Sequence, residues 1–134
     1  MILEIDFHGG VPIYRQIMDQ VRNQIMTGQM AEGEQLEQVR NLASRLKVNP
    51  MTISKAYGYL EQEGLLERKR GVGLFVASIQ GTKKVEIKTE MIDSLLKQSA
   101  ISAVQMDFPE KEAIELFKKH YSRYSSKKEE HDNE

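Results

Sequence analysis

Apolar residues recur every three to four positions along the first half of the chain, which is the spacing of one helix face. Residues 11–28, VPIYRQIMDQVRNQIMTG, predict an amphipathic helix with Pro12 in its first turn and Gly28 at its C-terminal cap. Residues 38–48, QVRNLASRLKV, predict a second and shorter helix after a turn around Gly33.

The third predicted helix carries its own start and stop signals. Asn49 is a favourable N-cap, Pro50 fits the first helical position, and Gly64 ends the helix. Helical spacing predicts a buried stripe of Ile53, Ala56, Tyr57 and Leu60. With this rotation Met51 and Lys55 point outward.

Residues 65–77, LLERKRGVGLFVA, predict a β-hairpin directly after the third helix. Its tip is basic and contains two glycines, which permit a close approach of the backbone to another molecule. The order of helix, turn, short helix, tight turn, helix and hairpin is typical of a winged helix-turn-helix. In a helix-turn-helix the second helix of the pair enters the major groove with its N-terminal residues toward the bases, and here that is the third helix of the chain.

The front of the third helix is rich in residues that have no packing role. They lie beside free backbone N–H groups, which attract phosphate. We therefore expect DNA contacts from Met51, Thr52, Ser54 and Lys55 in the helix and from Arg68, Lys69, Arg70, Gly71 and Gly73 in the hairpin. A plain solvated helix face is the alternative interpretation of the helical residues.

Two further helices are predicted, from about Val85 to Gln105 and from near Pro109 onward. Their apolar positions exceed what one small winged helix can cover, so we expect them to pair with a second copy of the chain. The predicted dimerisation residues are Met91, Ile92, Leu95, Leu96, Ile114, Phe117 and Tyr121.

The predicted fold is mostly α with a small β-hairpin wing: a winged helix-turn-helix followed by a two-helix C-terminal dimerisation segment. The predicted boundaries are a DNA-binding domain at 1–78, the helical dimerisation segment at 79–125, and a charged, disordered tail at 126–134.

Composition narrows the classes of function. Among the 134 residues, 40% are hydrophobic and 29% charged, which is typical of a soluble globular chain. No apolar run approaches the roughly 18–20 residues of a membrane span, and no export signal is present, so we expect a cytoplasmic protein without a membrane partner. Residues 37–78 hold seven Lys or Arg and four Asp or Glu, a net +3, whereas residues 79–134 are net −1. The basic segment favours a surface that faces phosphate, although an ordinary solvated face explains the charge equally well.

Catalytic and metal chemistry have little support in the sequence. There is no cysteine, and His8, His120 and His131 are far apart, with no Asp/His set at ligand spacing. The GVG of the hairpin is too short for a phosphate loop, and no nucleophile–base set occurs. We expect no enzyme activity, no cofactor and no metal site.

The residues QVRNLASRLKVNPMTISKAYGYLEQEGLLERKRGVGLFV strongly resemble the DNA-binding domain of the GntR family of bacterial transcription regulators. Together with the upstream PIYRQIMDQVRNQI, they look like the short YtrA-type subgroup, and the two-helix tail matches that subgroup in length and character. The resemblance implies DNA contacts for Arg40, Asn49, Met51, Thr52 and Ser54 in the helices and for Arg70, Gly71 and Gly73 in the wing.

Three positions depart from the family pattern. The family usually opens its second helix with a Pro-Ser pair and a following Glu, where this chain has Glu37, Gln38 and Asn41. Loss of a Ser cap costs about 0.5–2 kcal/mol, so a loose helix start is expected. Gly58 replaces a helix former, at roughly 1 kcal/mol, and Leu74 stands where the wing usually has Thr.

The resemblance implies a regulator that binds double-stranded operator DNA, often a repressor of an ABC-transporter operon and of its own gene. A homodimer would read an inverted repeat. The alternative is a winged helix that serves as a protein-interaction module, although such modules usually lack a basic wing tip. The sequence does not identify the operator, the operon or a small-molecule effector.

Overall fold

The computed structural model describes residues 1–132, and this part of the chain forms five α-helices and one two-stranded sheet. The elements are α1 Ile13–Thr27, α2 Val39–Leu46, α3 Pro50–Gln62, β1 Leu66–Lys69, β2 Gly73–Val76, α4 Gly81–Gln105 and α5 Glu110–Asp132. This order confirms the predicted mostly α fold with a hairpin wing. Within residues 1–132 no helix combines the length and the apolar character needed to cross a membrane.

The chain divides into two compact units, Met1–Glu86 and Ile87–Glu134. The sequence placed the division at residue 78, shortly before the start of α4. The structure instead divides the chain inside α4.

The core of the first unit lies where α1, α2 and α3 meet. Ile17, Leu42 and Ile53, one from each helix, are fully buried, and the predicted stripe of α3 is buried throughout. The Arg22 guanidinium of α1 also contacts both oxygens of the Glu63 carboxylate, at 2.8 Å each, just beyond the end of α3. Apolar burial and this charge-assisted ion pair, which one guanidinium nitrogen makes, together fix α3 against α1.

The predicted signals at the helix ends are present. The Asn49 side chain accepts a hydrogen bond from the Met51 N–H at 2.9 Å, and Pro50 is the first residue of α3. Gly28 ends α1 in the left-handed conformation. The tight turn between α2 and α3 has Lys47 in that conformation, with a φ of 57°.

The start of α2 lacks a side-chain cap, as its sequence predicts, because Gln38 makes no capping hydrogen bond. Other contacts hold this end of the helix. The Tyr57 hydroxyl donates to the Glu37 carbonyl oxygen at 2.8 Å, and the Glu37 carboxylate pairs with Arg45 at 2.8 Å. Burial, with a smaller contribution from the Glu37 charge, raises the pKa of Tyr57, so its phenol stays protonated and remains a donor.

The N-terminal segment is attached to α1 by three glutamines, which we call the glutamine ladder. Gln16 bonds both the N–H and the carbonyl of Asp6, at 2.8 Å each, and Gln20 does the same for Glu4, at 2.9 and 2.6 Å. Gln24 donates to the Ile2 carbonyl at 2.6 Å. The sequence predicts a short extended segment at 2–6. In the structure this segment runs alongside α1 and is not a strand of a sheet.

The wing is an antiparallel hairpin in which Leu66 faces Val76 and Lys69 faces Gly73. The segment before α2 runs along its second strand: the Gly33 N–H donates to the Val76 carbonyl at 2.9 Å and the Leu36 N–H to the Leu74 carbonyl at 2.9 Å. The Leu74 side chain is buried, so the apolar residue found where the family usually has Thr contributes to packing of the wing.

The second unit consists of helix, turn and helix. Between α4 and α5 the chain turns at Asp107, whose φ is 55°. α5 continues to Asp132, whereas the sequence predicts a disordered tail from residue 126, and residues 133–134 lie outside the described residues. Lys and Glu are good helix formers, and extending an existing helix requires no new nucleation, which explains the difference.

Replacing Gly58 by Ala is expected to raise the free energy of unfolding by roughly 0.5–1 kcal/mol. Gly58 lies inside α3 without a positive φ, and an added Cβ meets no atom within 4 Å. Gly64→Ala is the matched control, because its φ of +82° strains a side-chain-bearing residue and should lower stability. Urea titration followed by circular dichroism measures both, and a destabilised Gly58→Ala would contradict the prediction.

Candidate nucleic-acid interface

The first turn of α3 presents side chains to solvent as the sequence predicts. The Met51 side chain is 78% exposed, and Ser54 is exposed, whereas Thr52 is half-buried. Asn49 uses its side-chain oxygen as the N-cap, so in this structure its oxygen serves the helix itself. A base or a phosphate at this end of α3 would meet Met51 and Ser54 first.

Lys55 points from the same face toward α1. Its ammonium lies 4.1 Å from the centroid of the Tyr14 ring, which is a cation–π distance. The Tyr14 ring in turn lies beside Tyr59, with centroids 5.8 Å apart. We call these three residues the Lys55 stack.

The cations of the wing differ in their partners. Arg68 pairs with Glu61 of α3 through two hydrogen bonds, of 3.2 and 3.3 Å, and the Lys69 ammonium lies 4.4 Å from the Phe75 ring centroid. Within residues 1–132 no ion pair or ring contact engages Arg70. Arg70 at the tip therefore offers an unneutralised charge, and so does Lys69, whose ring partner is neutral.

The glycines of the tip give it a shape that most residues cannot adopt. Gly71 has a φ of +77° and Gly73 a φ of +143°, both in the region that favours glycine. The Gln35 side chain donates to the Val72 carbonyl at 3.2 Å, and a Cβ on Gly73 would come within 3.0 Å of the same Gln35 nitrogen. Gln35, in the segment before α2, thus contacts the tip and stabilises its shape.

A cleft of about 220 Å³ joins the start of α2, the exposed side of α3 and the base of the wing. Three of the residues predicted to contact DNA line it together: Ser54, Arg68 and Gly73. Arg40 is exposed one residue beyond the part of α2 that borders the cleft, and it has no ion-pair partner in the described part of the chain. The structure therefore brings α2, α3 and the wing to one surface, and Arg40 of α2 and Arg70 of the wing tip, which do not line the cleft, have no ion-pair partner in residues 1–132.

Sequence reasoning did not find three residues of this surface. Tyr14, Tyr59 and Glu61 are not among the predicted contacts, yet Tyr14 holds Lys55 and lies beside Tyr59, and Glu61 pairs with Arg68. The spacing of Lys55 and Tyr59, one helical turn apart, was an available signal for a contact on that face. Glu61 and Arg68 lie on different elements, so spacing could not pair them.

The predicted dimerisation residues of α4 and α5 remain largely uncovered within one chain. Leu95, Phe117 and Tyr121 are 61%, 50% and 66% exposed, and Met91 is half-buried. Within the described residues, α4 and α5 do not pack along each other. Further exposed apolar side chains that are not among the predicted dimerisation residues are Ile101, Val104, Met106, Phe108, Leu116 and Tyr124.

No group of three or more His, Asp or Glu side chains in residues 1–132 is arranged to hold a metal ion.

Comparison with known proteins agrees with this geometry. Residues 13–76 match the family described as bacterial regulatory proteins, gntR family. The chain is 41% identical over 102 residues to the HTH-type transcriptional repressor YtrA of Bacillus subtilis. This alignment covers 76% of this chain and 78% of that protein.

Two solved structures extend the comparison. A GntR family transcriptional regulator from Listeria monocytogenes is 28% identical, with a TM-score of 0.73 over 84% of this chain and 98% of the other. AraR(DBD), solved in complex with operator ORX1, is 31% identical, with a TM-score of 0.51 over 56% of this chain and 96% of that one. The relatives are transcription regulators rather than enzymes, and the chain described here belongs to the GntR family as a DNA-binding regulator of transcription.

Proposed function

We propose that this protein is a cytoplasmic repressor that binds an inverted-repeat operator as a homodimer. The observation that carries the proposal is the joint surface of α2, α3 and the wing, together with Arg40 and Arg70, two exposed arginines of α2 and the wing tip without an ion-pair partner in residues 1–132. Unpaired cations around an exposed helix front provide the sequence-independent attraction to phosphate that DNA binding requires.

The roles of the predicted contact residues follow from their surroundings. We assign contacts with base edges to Met51 and Ser54, because both are exposed at the N-terminal end of α3. Gly71 and Gly73 allow the wing tip to approach a groove, and Arg70 supplies its charge. Arg68 would have to leave the Glu61 carboxylate to bind phosphate, so we assign it a smaller share of the binding free energy, whereas the neutral Phe75 ring leaves the charge of Lys69 available.

Dimerisation is proposed for α4 and α5. Their apolar side chains are exposed in one chain and the two helices do not cover each other, so a second copy is the simplest partner that buries both. Two recognition helices related by a two-fold axis would read half-sites about one helical turn apart. The similarity to a repressor named YtrA supports repression, and control of an ABC-transporter operon and of the protein's own gene is a proposal from the subgroup resemblance.

Replacing Arg40 or Arg70 by Ala is expected to weaken binding and to reduce the slope of log K against log salt by about 0.9 for each phosphate that the variant no longer neutralises. The test begins with selection of a binding site from random DNA by the wild-type protein. Fluorescence anisotropy on that duplex between low and physiological salt then compares the variants.

Arg123→Ala serves as the matched control for these substitutions, because it removes the same side chain from the C-terminal unit. Its affinity and salt slope should equal those of the wild type. Wild-type slopes in both Arg40→Ala and Arg70→Ala would reject the proposed surface, and failure of the wild type to enrich any sequence would reject the operator proposal.

A further inference from the structure

The Lys55 stack joins α1 to the exposed face of α3. Lys55 and Tyr59 belong to α3 one turn apart, and Tyr14 belongs to the first turn of α1. The Lys55 ammonium lies 4.1 Å from the Tyr14 centroid, and the Tyr14 and Tyr59 rings are 5.8 Å apart with planes at 41°. A ring on another helix thus selects one position for a long and flexible side chain.

The partner that holds Lys55 is neutral, and this distinguishes it from the other cation at the edge of α3. Arg68 is held by the Glu61 carboxylate, which cancels its charge. In residues 1–132 no carboxylate forms an ion pair with Lys55. The Tyr14 ring attracts the ammonium through its quadrupole and leaves the full positive charge available to a ligand.

The direction of the ammonium is also defined. Ser54, the neighbour of Lys55, borders the cleft on the wing side, whereas Lys55 lies against α1. An anion that Lys55 can reach therefore lies on the α1 side of the recognition helix. For a duplex whose major groove holds α3, the anion on that side is a backbone phosphate.

Fixing the side chain before binding has a predictable effect. A free Lys side chain has large rotamer entropy, part of which is lost when its ammonium binds a phosphate. A side chain already confined by a ring loses less at that moment. The affinity gained should then depend on the ring of Tyr14 and on the charge of Lys55 together.

From these observations we propose that Tyr14 is a positioning residue for DNA binding, whose ring holds the Lys55 ammonium toward one backbone phosphate on the α1 side of α3. The inference rests on the proposed function, because it concerns the same DNA-facing surface. It adds to that surface a residue of α1, which neither the sequence pattern nor the predicted contacts had placed there.

The test compares four variants on the duplex selected by the wild-type protein: Tyr14→Phe, Tyr14→Leu, Lys55→Met, and Tyr14→Leu combined with Lys55→Met. Tyr14→Phe keeps the ring and should bind within about twofold of the wild type. Tyr14→Leu should weaken binding about two- to tenfold for each half-site, because Lys55 must then lose its rotamer freedom when it binds the phosphate. Lys55→Met should weaken binding and lower the salt slope by about 0.9 for each phosphate lost, which is about 1.8 for a dimer on two half-sites.

The decisive measurement is the double variant. It should bind no more weakly than Lys55→Met alone, because the ring has no function once the cation is gone. Two independent losses that multiply would overturn the proposal, as would a Tyr14→Leu variant that binds like the wild type. A Tyr14→Phe variant as weak as Tyr14→Leu would assign the effect to the hydroxyl and would also overturn it.

Two controls keep this experiment separate from the proposed function and from misfolding. Thermal unfolding of each variant establishes that it is folded at the assay temperature, and Tyr14→Met replaces Tyr14→Leu if the latter is not. Absence of any selected site for the wild type would reject the operator proposal itself, whereas a selected site with unchanged Tyr14→Leu binding would reject only the role of Tyr14.

Discussion

Replacing Phe117 and Tyr121 together by Asp is expected to convert the protein into a monomer and to weaken binding to a two-half-site operator by about 10²–10⁴-fold. The two rings are neighbours on α5, with centroids 6.0 Å apart, and both are exposed in the single chain. Carboxylates at these positions would have to be desolvated in a helical interface, which is strongly unfavourable. Loss of the dimer removes the effective concentration that one bound half-site provides for the other.

Ser126→Asp is the matched control, since it also introduces a carboxylate on α5 but about opposite the Phe117 and Tyr121 positions by helical spacing. Multi-angle light scattering gives the mass of each variant, and anisotropy with full and half operators gives the affinities. A chain truncated after Ser78, before α4, should behave like the double variant and bind a half-site only weakly. A truncated chain that is dimeric and binds the full operator normally would refute a dimerisation role for α4 and α5 and would favour an effector site there.

The second large effect is expected for Gly73→Val, which should reduce binding to any operator by at least an order of magnitude. Gly73 has a φ of +143°, a conformation that a β-branched residue adopts only at a cost of about 1–3 kcal/mol. The new side chain would also begin 3.0 Å from the Gln35 nitrogen that supports the tip. The wing would relax away from its present shape, and Arg70 would lose its position.

Two controls separate wing shape from a general effect of valine. Gly10→Val places the same side chain where no atom lies within 4 Å and no positive φ is required, so it should leave binding unchanged. Gly71→Asn tests the tip itself, because Asn tolerates the left-handed conformation of that position. Wild-type affinity for Gly73→Val, with the variant folded by circular dichroism, would show that the wing does not contribute to binding.

The sequence predicted the elements whose signals are local. Asn49 and Pro50 mark the start of α3 through the caps of a single turn, and Gly28 marks the end of α1 in the same way. The buried stripe of α3 follows from the helical period alone. The hairpin follows from its two glycines and from the residues on either side of them, so the fold class needed no knowledge of tertiary contacts.

The parts that could not be predicted depend on contacts between distant residues. Arg68 was expected to contact DNA through its charge, yet the partner that holds it, Glu61, lies seven positions earlier and on another element. Glu37 compensates for a missing cap through Tyr57, twenty residues away. The charged composition of the tail predicts disorder, whereas in the structure α5 continues through these residues to Asp132.

The length of the glutamine ladder is limited because a helix and an extended chain advance by different distances per residue. Four residues of α-helix advance about 6.0 Å, while two residues of extended chain advance about 6.4–6.8 Å, so each rung slips by roughly half an ångström against the next. The Asp6 and Glu4 rungs each have two hydrogen bonds, whereas the Ile2 rung has one from Gln24 in the described structure. The glutamine side chains of α1 therefore stay in register with the extended segment over only a few residues. The N-terminal segment should therefore open from Ile2 inward. Hydrogen exchange should be faster at the Glu4 amide than at the Asp6 amide, which are the two backbone N–H groups that the ladder bonds.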